Sequence, residues 1–396
     1  MTNAGNEGLR REVRDWIAAN RIDGLEPGGA HPPYDHTATA AEVEWVERLR
    51  VGAWLCPTWP ERYGGRALGF SEVVAVNEEF ARAGLPRPTL GMGESLVAPA
   101  LFAHGTPEQQ DRFLPRILSG QDIYCQGFSE PDAGSDLASL RTVGEVDGDD
   151  VVITGQKVWT SGAHRANLIF TLCRTDPDAP RHRGISYVLV PMTDNGIEIR
   201  PLRQMVGDHG FNQVFFDRAR APLANVIGGL HNGWRVAMTT LASERGGNAT
   251  TQHLGYLSEW RRLVDLARDN GALGRPAVRD DLARAYTAIR IMEFSGGRLV
   301  SELTRKGAAG PQASVGKVFW SEYHRWFGEL AMRISGPAGL VRPPGPGYAV
   351  SEFQRIFLES RARTIARGSS QVQRNIMAEQ VLGLPRDPVP SPHPAP

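Results

Sequence analysis

The sequence predicts a multidomain α+β chain: a helical N-terminal domain, a middle β-barrel or sandwich domain, and a helical bundle at the C-terminal end. Three observations carry that expectation. Apolar residues recur at helical spacing to about residue 120, short β-branched and aromatic runs fill about 121–232, and long amphipathic stretches return over about 233–384. A chain of 396 residues has room for two or three domains at roughly 100–200 residues each. The expected boundaries are 1–120 for the all-α domain, 121–232 for the β-domain, 233–384 for the bundle and 385–396 for a Pro-rich disordered tail.

In the first zone, Leu9 to Asn20 places Val13, Trp16 and Ile17 at helical spacing, and Ala40 to Leu49 places Val43, Val46 and Leu49 on one face. Ser71 is expected to cap a helix carrying Val73, Val74, Val76 and Phe80. Thr106, Pro107 and Glu108 combine an N-cap residue, a first-turn proline and an early acid. The candidate strands of the second zone are 151–153, 166–174, 185–190, 197–200 and 213–216, with Asp147-Gly148-Asp149 and Asp194-Asn195-Gly196 as turns. The third zone predicts helices over 233–243 continuing towards 269, then 276–306, 314–335 and 351–382. Long amphipathic helices with short loops form bundles.

Composition narrows the function. Forty-four Lys plus Arg balance 44 Asp plus Glu, which gives no support to a nucleic-acid binder. No apolar run approaches the ~18 residues of a membrane span, and the polar N-terminus has no secretory apolar segment. Cys56, Cys125 and Cys173 are scattered and odd in number, which fits a reducing cytoplasm better than a disulfide framework. The ten histidines lack ligand spacing, so no protein-bound metal is expected. There is no phosphate-binding P-loop, no dinucleotide fingerprint completed after Gly91-Met92-Gly93, and no G-x-S-x-G nucleophile elbow.

Three stretches say more. Tyr124 to Asp136 reads YCQGFSEPDAGSD, Gly155 to Ala163 reads GQKVWTSGA, and Arg367 to Gln373 reads RGSSQVQ before RNIMAEQVLGLPR. With the α–β–α zoning, these closely resemble the acyl-CoA dehydrogenase family over about residues 8–386. The resemblance implies an N-terminal helical domain, a middle β-domain and a C-terminal four-helix bundle. It implies FAD as cofactor, an acyl-CoA thioester as substrate, oxidation to the trans-2-enoyl form, and electron-transfer flavoprotein as acceptor.

The resemblance also assigns residues. It places Phe128 and Ser129 against the flavin ring, with Trp159 and Ser161 on its other side; Ser161 stands where Thr is common and keeps the hydroxyl. Core packing is the plain alternative for Trp159, and a turn cap is the alternative for Ser135, which resembles a CoA-contacting residue. Arg268 resembles a pyrophosphate-binding arginine without the usual flanking phenylalanine, so a solvated helix arginine is the alternative. Gly336 and Gly339 sit in a turn near the adenosine position, and Ser369 and Gln371 resemble cofactor-meeting residues that could equally cap a helix.

The base departs from the commonest pattern. Many members carry a Glu where this chain has Arg367, and an arginine with a pKa above ~12 cannot be a general base. Isovaleryl- and long-chain-type members place the base on a bundle helix directly before an Arg. Here that place reads LASERGG, giving Glu244 as the implied base for the α-proton as a β-hydride leaves for flavin N5, with Arg245 and Arg367 near the substrate. An ordinary helical Glu paired to a neighbouring charge is the alternative. The backbone NH of Arg367 could still polarise the thioester oxygen.

The leading expectation is a homotetrameric or homodimeric, cytoplasmic acyl-CoA dehydrogenase. The alternatives are a non-catalytic or half-site subunit of a heteromeric dehydrogenase, and a related flavin oxidase or monooxygenase. An acyl-carrier-protein thioester could replace the CoA ester.

Overall fold

The computed structural model describes residues 6–25, 38–246, 252–306, 310, 313–344 and 348–386, without the side chains at 244–246, 303–304 and 306. Most of the expected Pro-rich tail, from 387 onwards, lies outside the described residues. The chain divides into two compact units, Met1–Gly247 with Gly345–Ala349, and Asn248–Pro344 with Val350–Pro396.

The first unit begins with five helices, α1 (Glu7–Asn20), α2 (Ala40–Val51), α3 (Phe70–Arg82), α4 (Ala98–His104) and α5 (Pro107–Leu118). Val13 and Ile17 of α1 are buried, as their spacing predicts. In α2 the buried face is carried by Trp45 and Leu49, while Val43 is exposed. The indole of Trp45 decides that rotation by packing on Trp16 and Phe80. Ser71 is not the cap of α3: Gly69 precedes the helix, and its N–H donates to the Glu72 carboxylate at 2.7 Å. Thr106 does cap α5, accepting the Gln109 N–H while Gln109 accepts that of Thr106.

Among the described residues eight strands form one sheet: β1 (Tyr124–Gly127), β2 (Val143–Asp147), β3 (Asp150–Ser161), β4 (Leu168–Arg174), β5 (Ile185–Pro191), β6 (Ile197–Leu202), β7 (Phe211–Pro222) and β8 (Val226–Ile227). Their order is β6-β7-β3-β2-β4-β5-β8, with β1 pairing in parallel with β4. Strands β4 and β5 are buried on both faces, and alternation divides their side chains between two cores. Phe170, Leu172, Tyr187 and Leu189 join the core of the N-terminal helices. Ile169, Cys173, Val188 and Val190 meet Val151 and Ile153 of β3 and Val214 and Phe216 of β7. The helices and the sheet of this unit therefore share one core, and the sheet closes over a second. Helix α6 (Gly233–Gly246) follows, with Val236, Ala237 and Thr240 buried and with packing against α4 and β5.

The second unit is helical: α7 (Gln252–Asp269), α8 (Pro276–Lys306), α9 (Ala313–Ser335), α10 (Glu352–Arg363) and α11 (Ser370–Ile376). Helix α9 packs against α7, α8 and α10. Leu263, Leu282, Ile289, Phe327, Leu330 and Ile356 fill the interior. Gly328 lets α9 and α10 meet closely, since a Cβ there would stand 2.9 Å from the Phe357 Cα. Two long expectations are interrupted. The stretch 233–269 is two helices, α6 and α7. The stretch 351–382 breaks between α10 and α11, where Arg367 (φ 61°) and Gly368 (φ 83°) are left-handed.

Candidate active site

The first segment of the candidate site leaves β1. Phe128 is buried, with edge-to-face contacts to Phe170 (centroids 5.7 Å apart) and Tyr187 (6.1 Å). Ser129 is half-buried, and its carbonyl accepts the Val158 N–H at 2.9 Å. Glu130 and Ala133 exchange backbone bonds of 2.9 and 3.1 Å, which turns the chain sharply within the motif. Ser135 lies beyond that turn and is exposed, next to the exposed Asp136–Arg181 ion pair. A Cβ on Gly134 would meet nothing within 4 Å among the described residues.

The second segment is a bulge in β3. Lys157 pairs with Val214 and Thr160 with Asn212, so β3 carries one more residue than β7 across that interval. Trp159 sits in it at φ 60° and is 61% exposed. A left-handed L-residue costs about 1–2 kcal/mol, and this one gains little burial in return. The Trp159 ring meets Phe211 edge-on at 6.0 Å and leaves the rest of its surface open. Core packing is therefore not its role. Ser161 is half-buried two residues on and pairs with Phe211. Strain and an exposed aromatic beside a cross-bonded turn fit a planar aromatic ligand such as the flavin ring.

The two segments are joined from beneath by residues the sequence reading did not single out. Lys157 is fully buried and donates from Nζ to the Phe128 carbonyl at 3.1 Å and to Glu130 Oε1 at 2.8 Å. Glu130 also accepts the N–H groups of Arg141 (2.6 Å) and Thr142 (2.9 Å). Burial would raise the Glu130 carboxyl, but the Lys157 ammonium and the bonds from Thr142 and Arg141 outweigh it and hold it below its ordinary value. Burial pushes the Lys157 ammonium down, against the opposing pull of Glu130. One member of the pair stands in each recognised motif, and that was the available signal.

Glu244 and Arg245 lie in the last turn of α6, and their side chains fall outside the described residues. The α6 backbone is anchored in the same unit as Phe128 and Trp159 through Val236, Ala237 and Thr240, with Thr239 Oγ1 2.7 Å from His104 Nε2.

The remaining residues belong to the second unit. Arg268 is exposed at the end of α7 and pairs with Asp265 at 2.5 Å, the geometry of a solvated helix arginine. Gly336 is left-handed, and Gly339 is buried under Met332, its carbonyl accepting from Gln354 at 2.8 Å. Ser369 caps α11 by accepting the Val372 N–H, so the capping alternative describes its hydroxyl. Gln371 is exposed on that helix. The Arg367 carbonyl accepts from Gln373 Nε2 at 2.9 Å, and its exposed guanidinium acts electrostatically on Tyr256 and Lys317. The structure thus brings Phe128, Ser129, Trp159 and Ser161 into one cross-bonded region and Ser369, Gln371 and Arg367 into another.

Three domain families match the chain: Acyl-CoA dehydrogenase, N-terminal domain over residues 6–121; the middle domain over 125–219; and the C-terminal domain over 231–382. The chain is 45% identical to acyl-CoA dehydrogenase IpdE1 of Mycobacterium tuberculosis over 96% of its own length and 98% of that protein. It is 41% identical to acyl-CoA dehydrogenase FadE34 of the same organism over 98% of this chain and 52% of the longer relative. Among solved structures it is similar to the Tcur3481-Tcur3483 steroid ACAD, with TM-score 0.79, 33% identity, and 98% and 99% of the two chains covered. The ChsE4-ChsE5 complex from Mycobacterium tuberculosis gives TM-score 0.77 and 30% identity, with 98% and 99% covered.

Proposed function

The chain belongs to the acyl-CoA dehydrogenase family, and on that premise we propose how its residues divide the work of α,β-dehydrogenation of an acyl-CoA thioester. The family's FAD supplies the hydride acceptor. Trp159 offers an aromatic face, and the Phe128–Ser129 segment and the Ser161 hydroxyl offer polar contacts to the ring. Ser135, exposed beyond the turn, contacts the CoA portion. Glu244 takes the α-proton, and Arg245 and Arg367 bind near the acyl group. Ser369, Gln371, Gly336 and Gly339 meet the cofactor's adenosine end, and Arg268, whose exposed pair with Asp265 is a weak surface contact, reaches the pyrophosphate. In this reading the functional segments follow the limits 1–120, 121–232, 233–384 and 385–396, electrons pass to electron-transfer flavoprotein, and the chain works in the cytoplasm.

The observation that carries the reading is Trp159, an exposed tryptophan held left-handed by a bulge and tied through Val158 to the neighbouring motif. Anaerobic stopped-flow reduction tests the base. Glu244→Gln is expected to keep FAD and CoA-ester binding and to lose at least ~10²-fold in flavin reduction, the scale of general-base loss. Arg367→Ala is expected to keep measurable turnover. Normal reduction in Glu244→Gln removes Glu244 from the mechanism.

A second reading is favoured by Arg367 itself. A cation at the commonest base position suits a chain that completes a heteromeric dehydrogenase, and structural relatives are named as two-component assemblies, one of them a steroid ACAD. Under this reading the acyl group is bulky and steroid-derived. Light scattering with and without a co-expressed homologous chain separates it from a homotetramer or homodimer.

A further inference from the structure

We propose that the buried Lys157–Glu130 pair is a positioning device that fixes the Phe128–Ser129 segment, which leads into the Glu130–Ala133 turn, and the Trp159 bulge at one spacing, and thereby sets how tightly the flavin ring is held and how easily it is reduced. This rests on the reading that those residues face the flavin.

Four bonds build the device. Lys157 Nζ donates to the Phe128 carbonyl and to Glu130 Oε1, and Glu130 receives the N–H groups of Arg141 and Thr142 on the returning arm of the loop. One residue along, Val158 donates its N–H to the Ser129 carbonyl. The carbonyls of two consecutive residues leading into the turn are thus held by consecutive residues of β3, and the next residue of β3 is Trp159. Moving the turn moves the bulge with it.

The mutual attraction of the two charges alone gives no reason for such a pair. A buried ion pair is often matched or bettered by apolar side chains of similar volume. Apolar side chains cannot donate to the Phe128 carbonyl or accept from two backbone N–H groups. The loop from 128 to 142 has little regular structure of its own beyond the Glu130–Ala133 bridge and one short turn at Leu137–Ser139. The pair supplies the order that a sheet ladder would otherwise give. Rigid support of this kind governs the precision of a ligand-facing group.

The pair is a positioning element, so its test must read the flavin and not only folding. The full chain is reconstituted with FAD. The double variant Lys157→Met/Glu130→Gln removes both charges together and avoids stranding either. Arg10→Met is the control. It removes another buried ion pair, Arg10–Glu79, remote in sequence from both motifs, while Arg82 still answers Glu79. Three quantities are measured: the FAD dissociation constant, the visible flavin absorbance bands and the flavin midpoint potential. The double variant is expected to bind FAD about tenfold more weakly, with shifted bands and a shifted potential. Arg10→Met is expected to match the wild type in all three even where its thermal midpoint falls.

If the double variant does not fold, Glu130→Asp alone carries the test. It keeps both charges but draws the carboxylate back by one methylene from the N–H groups of Arg141 and Thr142, and it is expected to shift the bands and potential in the same direction. A foldable variant with wild-type affinity, bands and potential overturns the positioning role while leaving the site reading intact. A wild-type chain that takes up no FAD overturns both.

Discussion

Two lysines in different parts of the molecule are shielded from solvent, and among the described residues only one of them has hydrogen-bond partners. Lys157, under the candidate flavin site, is fully buried between a carboxylate and a carbonyl. Lys317, on α9 of the helical unit, is 4% exposed, and its Nζ has no hydrogen-bond partner among the described residues. Burial pushes the Lys317 ammonium down to about 8; Glu322 opposes that fall, and Arg367 adds to it. The Glu322 carboxylate is already engaged by Ser370 at 2.8 Å and Arg325 at 3.1 Å. The contrast shows what a buried charge accomplishes. At Lys157 it organises backbone that has no ladder of its own. At Lys317 the ammonium holds no hydrogen-bond partner among the described residues, so it organises no backbone there.

The largest effect expected from breaking this contrast is at Lys157. Lys157→Met alone leaves the Glu130 carboxylate buried without its cation, which costs ~3–5 kcal/mol. Urea titration of the FAD-free chain measures it, and a loss below about 1 kcal/mol would mean that Glu130 finds another partner or takes up a proton. Lys317→Met is expected to act in the opposite direction, raising stability at pH 7 by ~1–3 kcal/mol as an unmet buried donor disappears. The same variant sharpens the comparison through pH. With a folded value near 8 against an ordinary 10.5, the unfolded chain binds more protons at Lys317 between those limits. Stability from this group therefore rises with pH across about 8 to 10.5. The slope should be present in the wild type and absent in Lys317→Met.

The smallest stability effect is expected at the bulge. Trp159→Gly relieves a left-handed residue, worth about 1–2 kcal/mol, and loses an edge contact with Phe211 worth about 0.5–1.5 kcal/mol. The two nearly cancel, so the thermal midpoint should hardly move while FAD affinity falls. A large loss of stability with unchanged affinity would make Trp159 a packing residue.

The helical–β–helical order was legible because period and composition change where the elements change. Strands β4 and β5 read as apolar runs since both of their faces are buried. Strands β1 and β2 did not, because β1 is the short start of a motif and β2 exposes four of its five residues. The breaks between α6 and α7 and between α10 and α11 were hidden inside continuous amphipathic patterns, although Gly368 marked the second. In the site, motif strings located Phe128, Ser129, Trp159 and Ser161. The Lys157–Glu130 pair was missed because a lysine in a strand reads as solvent-facing until a partner on a distant segment is seen. Arg268 read as a ligand by position, with a solvated helix arginine as the alternative, and its exposed guanidinium pairs with Asp265 on the same helix.

Whether the chain holds a flavin that acyl-CoA thioesters reduce is read from the visible spectrum of the purified, FAD-reconstituted chain during anaerobic titration with a panel of acyl-CoA esters, straight-chain, branched and steroid-derived. A yellow protein is expected, bleached by at least one of them and more slowly in Glu244→Gln. A chain that stays colourless after reconstitution, or a flavin that no ester bleaches even with a homologous partner chain present, would contradict this.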